Sequence, residues 1–222
     1  QIEGNKVIKR GKDRNKDQSY FMALLEKEVL DYLIFPLENL TKEETRKTAE
    51  KYKIPVAKKS ESFEICFTAG KSPGEYLKET GLMPPLKGDI LLKNGKKVGT
   101  HTGLANYTIG QRRGLGVAWK EPLYVVEKIP EENALIVGTK EDLLTEYVET
   151  EDLNLFIPED KLHSLELTVQ GRYRQKPVEI KSFEKVGNKY RFYFKEPQQK
   201  FASGQVLALY WGDKLLGGGI IT

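Results

Sequence analysis

The sequence contains little cysteine and no long apolar run. Its single cysteine, Cys66, excludes an internal disulfide and any zinc or iron site built from paired cysteines. No segment approaches the roughly 20 consecutive apolar residues that a membrane-spanning helix requires. The first ten residues also lack the apolar core of a signal peptide. We therefore expect a cytoplasmic protein that does not enter a membrane.

The charges that are present lie unevenly along the chain. Residues 87–120 contain seven basic residues and one acidic residue, whereas residues 121–166 contain thirteen acidic and three basic residues. This asymmetry excludes a uniformly positive protein surface that would bind any polyanion, and it allows a localised basic face. Two solvated surfaces of opposite sign are the alternative interpretation.

The hydrophobic pattern changes twice and predicts an α+β chain in three parts, at residues 1–80, 81–145 and 146–222. The first part is helical in character. Thr41 and Glu44 form the capping box of one helix, which is expected to run to about Tyr52. Another helix is predicted from apolar residues at helical spacing, namely Phe21, Leu24, Leu25, Val29, Tyr32 and Leu33.

The second and third parts alternate as β-strands do. The Asn94-Gly95 pair predicts a tight hairpin turn, and YVVEKI (124–129) and NALIVG (133–138) predict a second strand pair. Five short strands separated by turn residues in the third part indicate a small barrel or sandwich. Three consecutive glycines, 217–219, indicate a bend or bulge in its last strand.

Few residues could carry chemistry. Cys66 is either a buried thiol or, if nearby lysines stabilise its thiolate, a nucleophile. A cysteine–histidine dyad is disfavoured because the only histidines are His101 and His163. If GRYRQ (171–175) forms a strand, Arg172 and Arg174 share one face and offer guanidinium groups to phosphates. An edge strand protected by arginines is the alternative.

Six short motifs follow one another along the chain: NKDQSYF (15–21), AKKSESFEICF (57–67), YTIGQRRGLG (107–116), GRYRQ (171–175), SGQ (203–205) and LGGGII (216–221). Together they resemble the tRNA-specific 2-thiouridylases, which place sulfur on the wobble uridine of tRNA. The resemblance covers essentially the whole chain. It implies that residues 1–80 are the C-terminal helical part of an α/β nucleotide-binding catalytic domain, that residues 81–145 form a small β-rich domain, and that residues 146–222 form a tRNA-contacting barrel.

The resemblance also implies the roles of individual residues. Cys66 matches the catalytic cysteine, whose persulfide delivers sulfur to the activated uridine and displaces AMP. The tRNA contacts of the family match Lys16, Asp17 and Gln18 in the first motif, Arg172 and Tyr173 in the barrel, and Gln205 in SGQ. The basic character of three further residues adds them as candidate tRNA contacts, namely Arg174, Arg112 and Arg113.

The expected substrates and partners follow from the same resemblance. They are ATP with Mg²⁺, the anticodon stem-loop of tRNA, and a sulfurtransferase or sulfur-relay protein as persulfide donor. The family's SGGxDS loop and second cysteine are absent from this sequence. We therefore expect the ATP and Mg²⁺ site in a preceding region and no thiolation by these 222 residues alone. A monomer is expected. A standalone RNA-binding module with an inert cysteine, or a sulfur carrier that never touches RNA, are the alternatives.

Overall fold

The computed structural model describes residues 2, 4–55, 57, 76–77, 79–81 and 86–222. The chain divides into two units, one from residues 1–60 and 146–222 and the other from residues 61–145. Most of the described secondary structure is strand, with few helices, in a closed barrel and a mixed sheet. The predicted fold class is thereby confirmed. No helix in the described part of the chain is long and apolar enough to cross a membrane.

The first unit contains a closed six-stranded barrel. Its strands are β6 (Leu144–Leu155), β7 (Leu167–Gln170), β8 (Val178–Val186), β9 (Lys189–Gln199), β10 (Val206–Trp211) and β11 (Lys214–Ile221). The strand order is β11-β10-β7-β8-β9-β6, and β6 pairs with β11 to close the barrel. A two-residue strand, β1 (Ile8–Lys9), adds to β11. The barrel therefore leaves few unpaired edges.

Strand β10 is apolar on both faces, because each face lies against a different core. Leu207 and Leu209 point into the barrel interior, whereas Ala208 and Tyr210 face the N-terminal segment. Successive strand residues point to opposite faces, so the run VLALYW packs between two layers instead of alternating with polar residues. Burial on this second face fixes the N-terminal segment against the outside of the barrel.

The three consecutive glycines of β11 allow this close packing. A Cβ atom added at Gly217 would overlap the carbonyl oxygen of Asn154, and a Cβ atom added at Gly218 would overlap the carbonyl oxygen of Leu207. The register of β11 shifts against both neighbours in this region. The predicted bulge in the last strand is confirmed, and its cause is the approach of β6 and β10 from either side.

The sixth barrel strand lies in the acidic stretch and was not among the five strands predicted. Strand β6 begins at Leu144 and carries four acidic residues, which obscure its apolar alternation. Its inward residues are Val148 and Thr150, which are buried, and Asp152 has a positive φ of 41° where the register shifts. Pairing with β11 stabilises this strand, and that pairing is invisible in a local pattern.

The helix predicted from the apolar spacing at residues 21–33 is wrong. The segment forms two short 3₁₀ helices, Ser19–Met22 and Lys27–Asp31. The side-chain amide of Asn154 donates to the carbonyl oxygens of Ala23 and Leu25 at 3.0 and 2.8 Å, so the barrel replaces the hydrogen bonds of a continuous helix. Tertiary contacts therefore override the helical periodicity here.

The helix predicted from the capping box is confirmed as α1 (Lys42–Lys51). Thr41 accepts the Glu44 amide hydrogen through its hydroxyl, and the Glu44 carboxylate accepts the amide hydrogen of Thr41. This backbone hydrogen bond, with help from Lys12, lowers the pKa of Glu44 to about 2. Both signals lie within four residues, which is why the sequence was sufficient to predict the start of this helix.

The second unit contains a mixed sheet of four strands, β2 (Gly88–Leu92), β3 (Lys97–His101), β4 (Tyr124–Ile129) and β5 (Ala134–Gly138). Their order in the sheet is β3-β2-β5-β4. Both predicted hairpins are confirmed, and β2 and β5 pair in parallel. His101 is fully buried, accepts the Gly103 amide hydrogen at Nδ1, and pairs through Nε2 with the Asn133 carbonyl oxygen. This histidine therefore holds two turns of the sheet together.

Replacing Gly217 with alanine should lower the free energy of unfolding of the first unit by about 2–3 kcal/mol. Gly217 has a φ of +134°, and the added carbon would meet the Asn154 backbone. Urea denaturation followed by circular dichroism measures the loss. Gly11→Ala is the matched control, because its new carbon would meet nothing closer than Asp17 Oδ1 at 3.9 Å. Equal stability of the two variants would contradict the close-packing account.

Candidate nucleic-acid interface

Three loops of the first unit lie next to one another, although they are far apart in sequence. They are residues 10–18, 171–175 and 201–205, and we refer to them as the candidate interface. Each contains residues of one motif identified above. Hydrogen bonds connect them: Arg174 donates to the Asn15 carbonyl oxygen, and the Tyr20 hydroxyl lies between the carbonyl oxygens of Gly171 and Val206.

The Asp17 carboxylate fixes the first loop. It forms a 3.0 Å ion pair with Arg10, and only 5% of the Asp17 side chain and 12% of the Arg10 side chain are exposed. The same carboxylate accepts the amide hydrogens of Gly11 and Ser19 and the hydroxyl hydrogen of Ser19. Asp17 is therefore fully engaged within the protein, and its side chain shapes the loop from inside.

Arg10 connects this loop to the barrel. Its second terminal nitrogen donates to Gln170 Oε1 at 2.8 Å, and its guanidinium lies 3.6 Å from the centre of the Tyr210 ring. Tyr210 is fully buried and lies within hydrogen-bonding distance of Ser19 Oγ, at 3.1 Å. Burial raises the pKa of Tyr210, so its hydroxyl stays protonated and can donate to Ser19. We call this group the Asp17 cluster; it consists of Arg10, Asp17, Ser19, Gln170 and Tyr210.

Tyr20 joins the other two loops. Its hydroxyl lies 2.9 Å from the carbonyl oxygen of Val206 and 3.3 Å from that of Gly171. Burial raises the pKa of Tyr20, which keeps the hydroxyl a hydrogen-bond donor. Because Val206 directly follows Gln205 and Gly171 directly precedes Arg172, one side chain sets the spacing between both predicted contact loops.

The prediction that GRYRQ forms a strand is wrong. Strand β7 ends at Gln170, and the motif turns back on itself. Gln170 Nε2 donates to the Arg172 carbonyl oxygen, Gln175 accepts the Gly171 amide hydrogen, and Arg174 adopts a left-handed φ of 62°. Arg172 and Arg174 therefore do not share a strand face. The glutamines close a loop, and a local alternation pattern does not reveal that closure.

The remaining predicted contact residues face outward to different degrees. Four have exposed side chains, namely Gln18, Arg172, Arg174 and Gln205, whereas Lys16 and Tyr173 are half-buried. The Tyr173 ring lies 4.9 Å from the ring of Phe21, itself 58% exposed. Guanidinium and aromatic groups at one surface can bind phosphates and stack on unpaired bases.

Arg112 and Arg113 belong to the second unit and are described separately. Both are exposed in the loop between β3 and β4, beside a cavity of about 680 Å³ lined in part by Arg112, Leu115 and Trp119. Lys96 lies 5.2 Å from the Trp119 ring. This loop combines positive charge with an aromatic ring, and its contact with tRNA stays a prediction.

Cys66 lies outside the described residues. The described part of the chain also contains no cluster of three or more histidine, cysteine or acidic residues that could hold a metal ion. These residues therefore do not fit a Mg²⁺ site, and no step involving the metal is assigned to them. The sequence analysis also missed three residues of structural importance, Arg10, Tyr20 and Gln170, because the hydrogen bonds by which they connect separate loops join positions more than 150 residues apart.

Replacing Asp17 with asparagine should lower the free energy of unfolding by about 3 kcal/mol, because Arg10 would be left without its counter-charge in a largely buried position. Affinity for RNA should fall as well, since the loop loses its internal support. Urea denaturation and fluorescence anisotropy measure the two effects.

Asp31→Asn is the matched control. Its 2.7 Å pair with Lys6 is exposed, with side-chain exposures of 60% and 49%, so the loss should stay below about 1 kcal/mol. Equal effects of the two substitutions would show that Asp17 does not organise the loop.

Models of known protein families match most of the chain. Three family models match successive segments: the tRNA methyl transferase HUP domain at residues 1–70, the tRNA methyl transferase PRC-barrel domain at residues 75–139, and the aminomethyltransferase beta-barrel domain at residues 146–221. Together they leave few residues unmatched. The third model coincides with the six-stranded barrel.

Curated relatives carry the name tRNA-specific 2-thiouridylase MnmA. The chain is 62% identical to the protein of Persephonella marina, covering 98% of this chain and 62% of the relative. Identity is 45% with the Aquifex aeolicus protein and 46% with that of a Hydrogenobaculum species, covering 97% of this chain and 59% and 61% of those relatives. The chain thus spans about three fifths of the length of these relatives. By its sequence over nearly its full length, the chain belongs to the tRNA-specific 2-thiouridylase family.

Proposed function

We propose that this chain takes part in the ATP-dependent 2-thiolation of the wobble uridine of tRNA and that it holds the anticodon stem-loop. The observation that carries the proposal is the convergence of three motif-bearing loops at the candidate interface through the Asp17 cluster and Tyr20. The reaction is inferred from the name that the relatives carry, and the candidate interface is a surface suited to binding RNA.

The interface offers two kinds of contact that tRNA recognition requires. Exposed Arg172 and Arg174 suit backbone phosphates, which position an RNA without reading its sequence. Exposed Gln18 and Gln205 carry amides that can donate to and accept from a base edge. The target uridine lies in an anticodon loop and is already unpaired, so turning it outward costs less than in a duplex. Lys16 and Tyr173 complete the proposed tRNA contacts, and Asp17 acts through the loop it supports.

In the proposed reaction, Cys66 carries the sulfur as a persulfide. The terminal sulfur attacks C2 of the adenylated uridine, a C–S bond forms, and AMP leaves with the former O2. A second thiol then attacks Cys66 Sγ, breaks the S–S bond and forms a disulfide, leaving 2-thiouridine. The second thiol and the site for ATP and Mg²⁺ are proposed to lie in residues that the longer relatives possess. A thiol reductant then opens this disulfide by thiol–disulfide exchange, and a sulfurtransferase or sulfur-relay protein transfers a new persulfide sulfur to the freed Cys66 thiol.

Exposed apolar side chains in the first part of the chain support the proposal that a further region of the catalytic domain packs against it. In the described part of the chain, seven large hydrophobic residues between positions 24 and 54 are exposed: Leu24, Tyr32, Ile34, Phe35, Leu37, Tyr52 and Ile54. Such a concentration indicates a surface that packs against protein. We propose that the remainder of the catalytic domain covers it, and that these 222 residues alone do not thiolate tRNA. The division into parts at residues 1–80, 81–145 and 146–222, the monomeric state and the cytoplasmic location belong to the same proposal.

Replacing Cys66 with serine in an enzyme that includes the additional region should reduce 2-thiouridine formation to background, because a hydroxyl cannot carry the transferable sulfur. Mass spectrometry of nucleosides from digested tRNA measures the product. Affinity for tRNA should not change, which separates chemistry from binding.

Ser62→Ala in the same segment is the matched control and should retain activity. Normal thiolation by the Cys66→Ser enzyme, with tRNA affinity intact, would contradict the catalytic role and favour a standalone RNA-binding module with an inert cysteine. Absence of tRNA binding in every form would instead favour a sulfur carrier.

A further inference from the structure

A cavity of about 410 Å³ opens within the first unit beside the candidate interface. Its lining includes Arg10, Arg14, Asn15, Asp17, Arg174 and Asp213, which come from the first loop, the 171–175 loop and the β10–β11 turn. Arg14 is not part of the motifs that pointed to tRNA. The described lining contains no aromatic ring, so the cavity suits a charged group better than a stacked base.

The charges around this cavity leave an excess of positive charge. Arg10 and Asp17 neutralise each other in their buried pair. Asp213 lies between two cations, Lys9 at 3.4 Å and Arg14 at 3.8 Å. Arg174 has no acidic partner among the described residues. The cavity therefore attracts an anion even though two carboxylates contribute to its lining.

The backbone holds Arg174 ready for such an anion. Its left-handed φ of 62° places the side chain against the first loop, where Nε donates to the Asn15 carbonyl oxygen at 3.1 Å. The guanidinium also lies 5.2 Å from the Tyr173 ring. These contacts occupy Nε and one face of the Arg174 guanidinium. Both terminal nitrogens remain available for two parallel hydrogen bonds to a phosphate.

Arg14 can turn toward the same anion at little cost. Its 3.8 Å approach to Asp213 exceeds hydrogen-bond length, and 55% of its side chain is exposed, so this pair contributes little to stability. If Arg14 moves away, Asp213 keeps Lys9 as its partner. Asp213 then remains paired with Lys9, and Arg14 pairs with the anion, so neither group loses a counter-charge.

We propose that this cavity binds one backbone phosphate of the bound RNA, gripped by Arg14 and Arg174. The inference rests on the proposed function and adds to it a phosphate site and the residue Arg14. The cavity places the phosphate next to the turn that Gln170 and Gln175 close, so it fixes the register of the RNA on the candidate interface.

The first test uses the 222-residue chain and a fluorescently labelled anticodon stem-loop RNA. Arg14→Gln should weaken binding about tenfold, the loss expected for one charged hydrogen-bonding contact. The slope of log affinity against log salt concentration should become shallower by about 0.7–0.9 for the one lost phosphate contact. Lys181→Gln, which removes an exposed cation of β8 outside the cavity lining, is the control and should leave both quantities unchanged.

Arg14→Lys provides a second variant that keeps the charge. It should preserve the salt slope and lose only part of the affinity, because lysine cannot form the two-pronged contact. Circular dichroism melting checks that all variants fold. Loss of affinity in Arg14→Gln with an unchanged salt slope would overturn the proposal.

The second test replaces single phosphates of the RNA with neutral methylphosphonates. One position should weaken binding to the natural chain clearly more than it weakens binding to Arg14→Gln, because in that variant only the Arg174 contact with the phosphate remains to be lost. Additive effects at every position would overturn the phosphate site while leaving the proposed function intact. Failure of the proposed function is distinguishable, since the natural chain would then not bind the stem-loop RNA at all.

Discussion

The buried ion pair between Arg10 and Asp17 organises the first unit. It lies where the N-terminal segment meets the outside of the barrel, and it is satisfied on every side by Gly11, Ser19 and Gln170. A charge pair in such a position is costly to break, because removal of either partner leaves the other without compensation. The exposed side chains of the candidate interface extend from loops that this pair and Tyr20 hold together. Their arrangement is therefore set by residues that do not themselves face the solvent.

This arrangement separates support from contact. Asp17, Tyr20 and Gln170 are directed inward and fix backbone positions, whereas Gln18, Arg172 and Gln205 are directed outward. A site built in this way retains its geometry when it binds a flexible nucleic acid, because the loops are closed by internal hydrogen bonds. The motif NKDQSYF accordingly contains both kinds of residue: Asp17 supports the loop from inside, and its neighbour Gln18 is exposed.

Local signals predicted the parts of the fold that depend on neighbouring residues. The Thr41–Glu44 capping box and the Asn94-Gly95 turn each act within four residues, and both elements were confirmed. The helix predicted at residues 21–33 failed because Asn154 satisfies its carbonyl groups from the barrel, and β6 was missed because its pairing with β11 comes from the other end of the domain. For the candidate interface, the motifs identified the loops. Their connections were not predictable, because Arg10 and Gln170 are 160 residues apart and Tyr20 and Val206 are 186 apart.

Hydrogen exchange of the chain with and without an unmodified tRNA tests most directly whether the three loops form one RNA-binding surface. The account predicts that amides in residues 12–18, 171–175 and 203–205 become protected together on binding, whereas the β8–β9 turn at Gly187 and Asn188 does not change. Protection confined to one loop, or protection of the β8–β9 turn alone, would contradict the central claim.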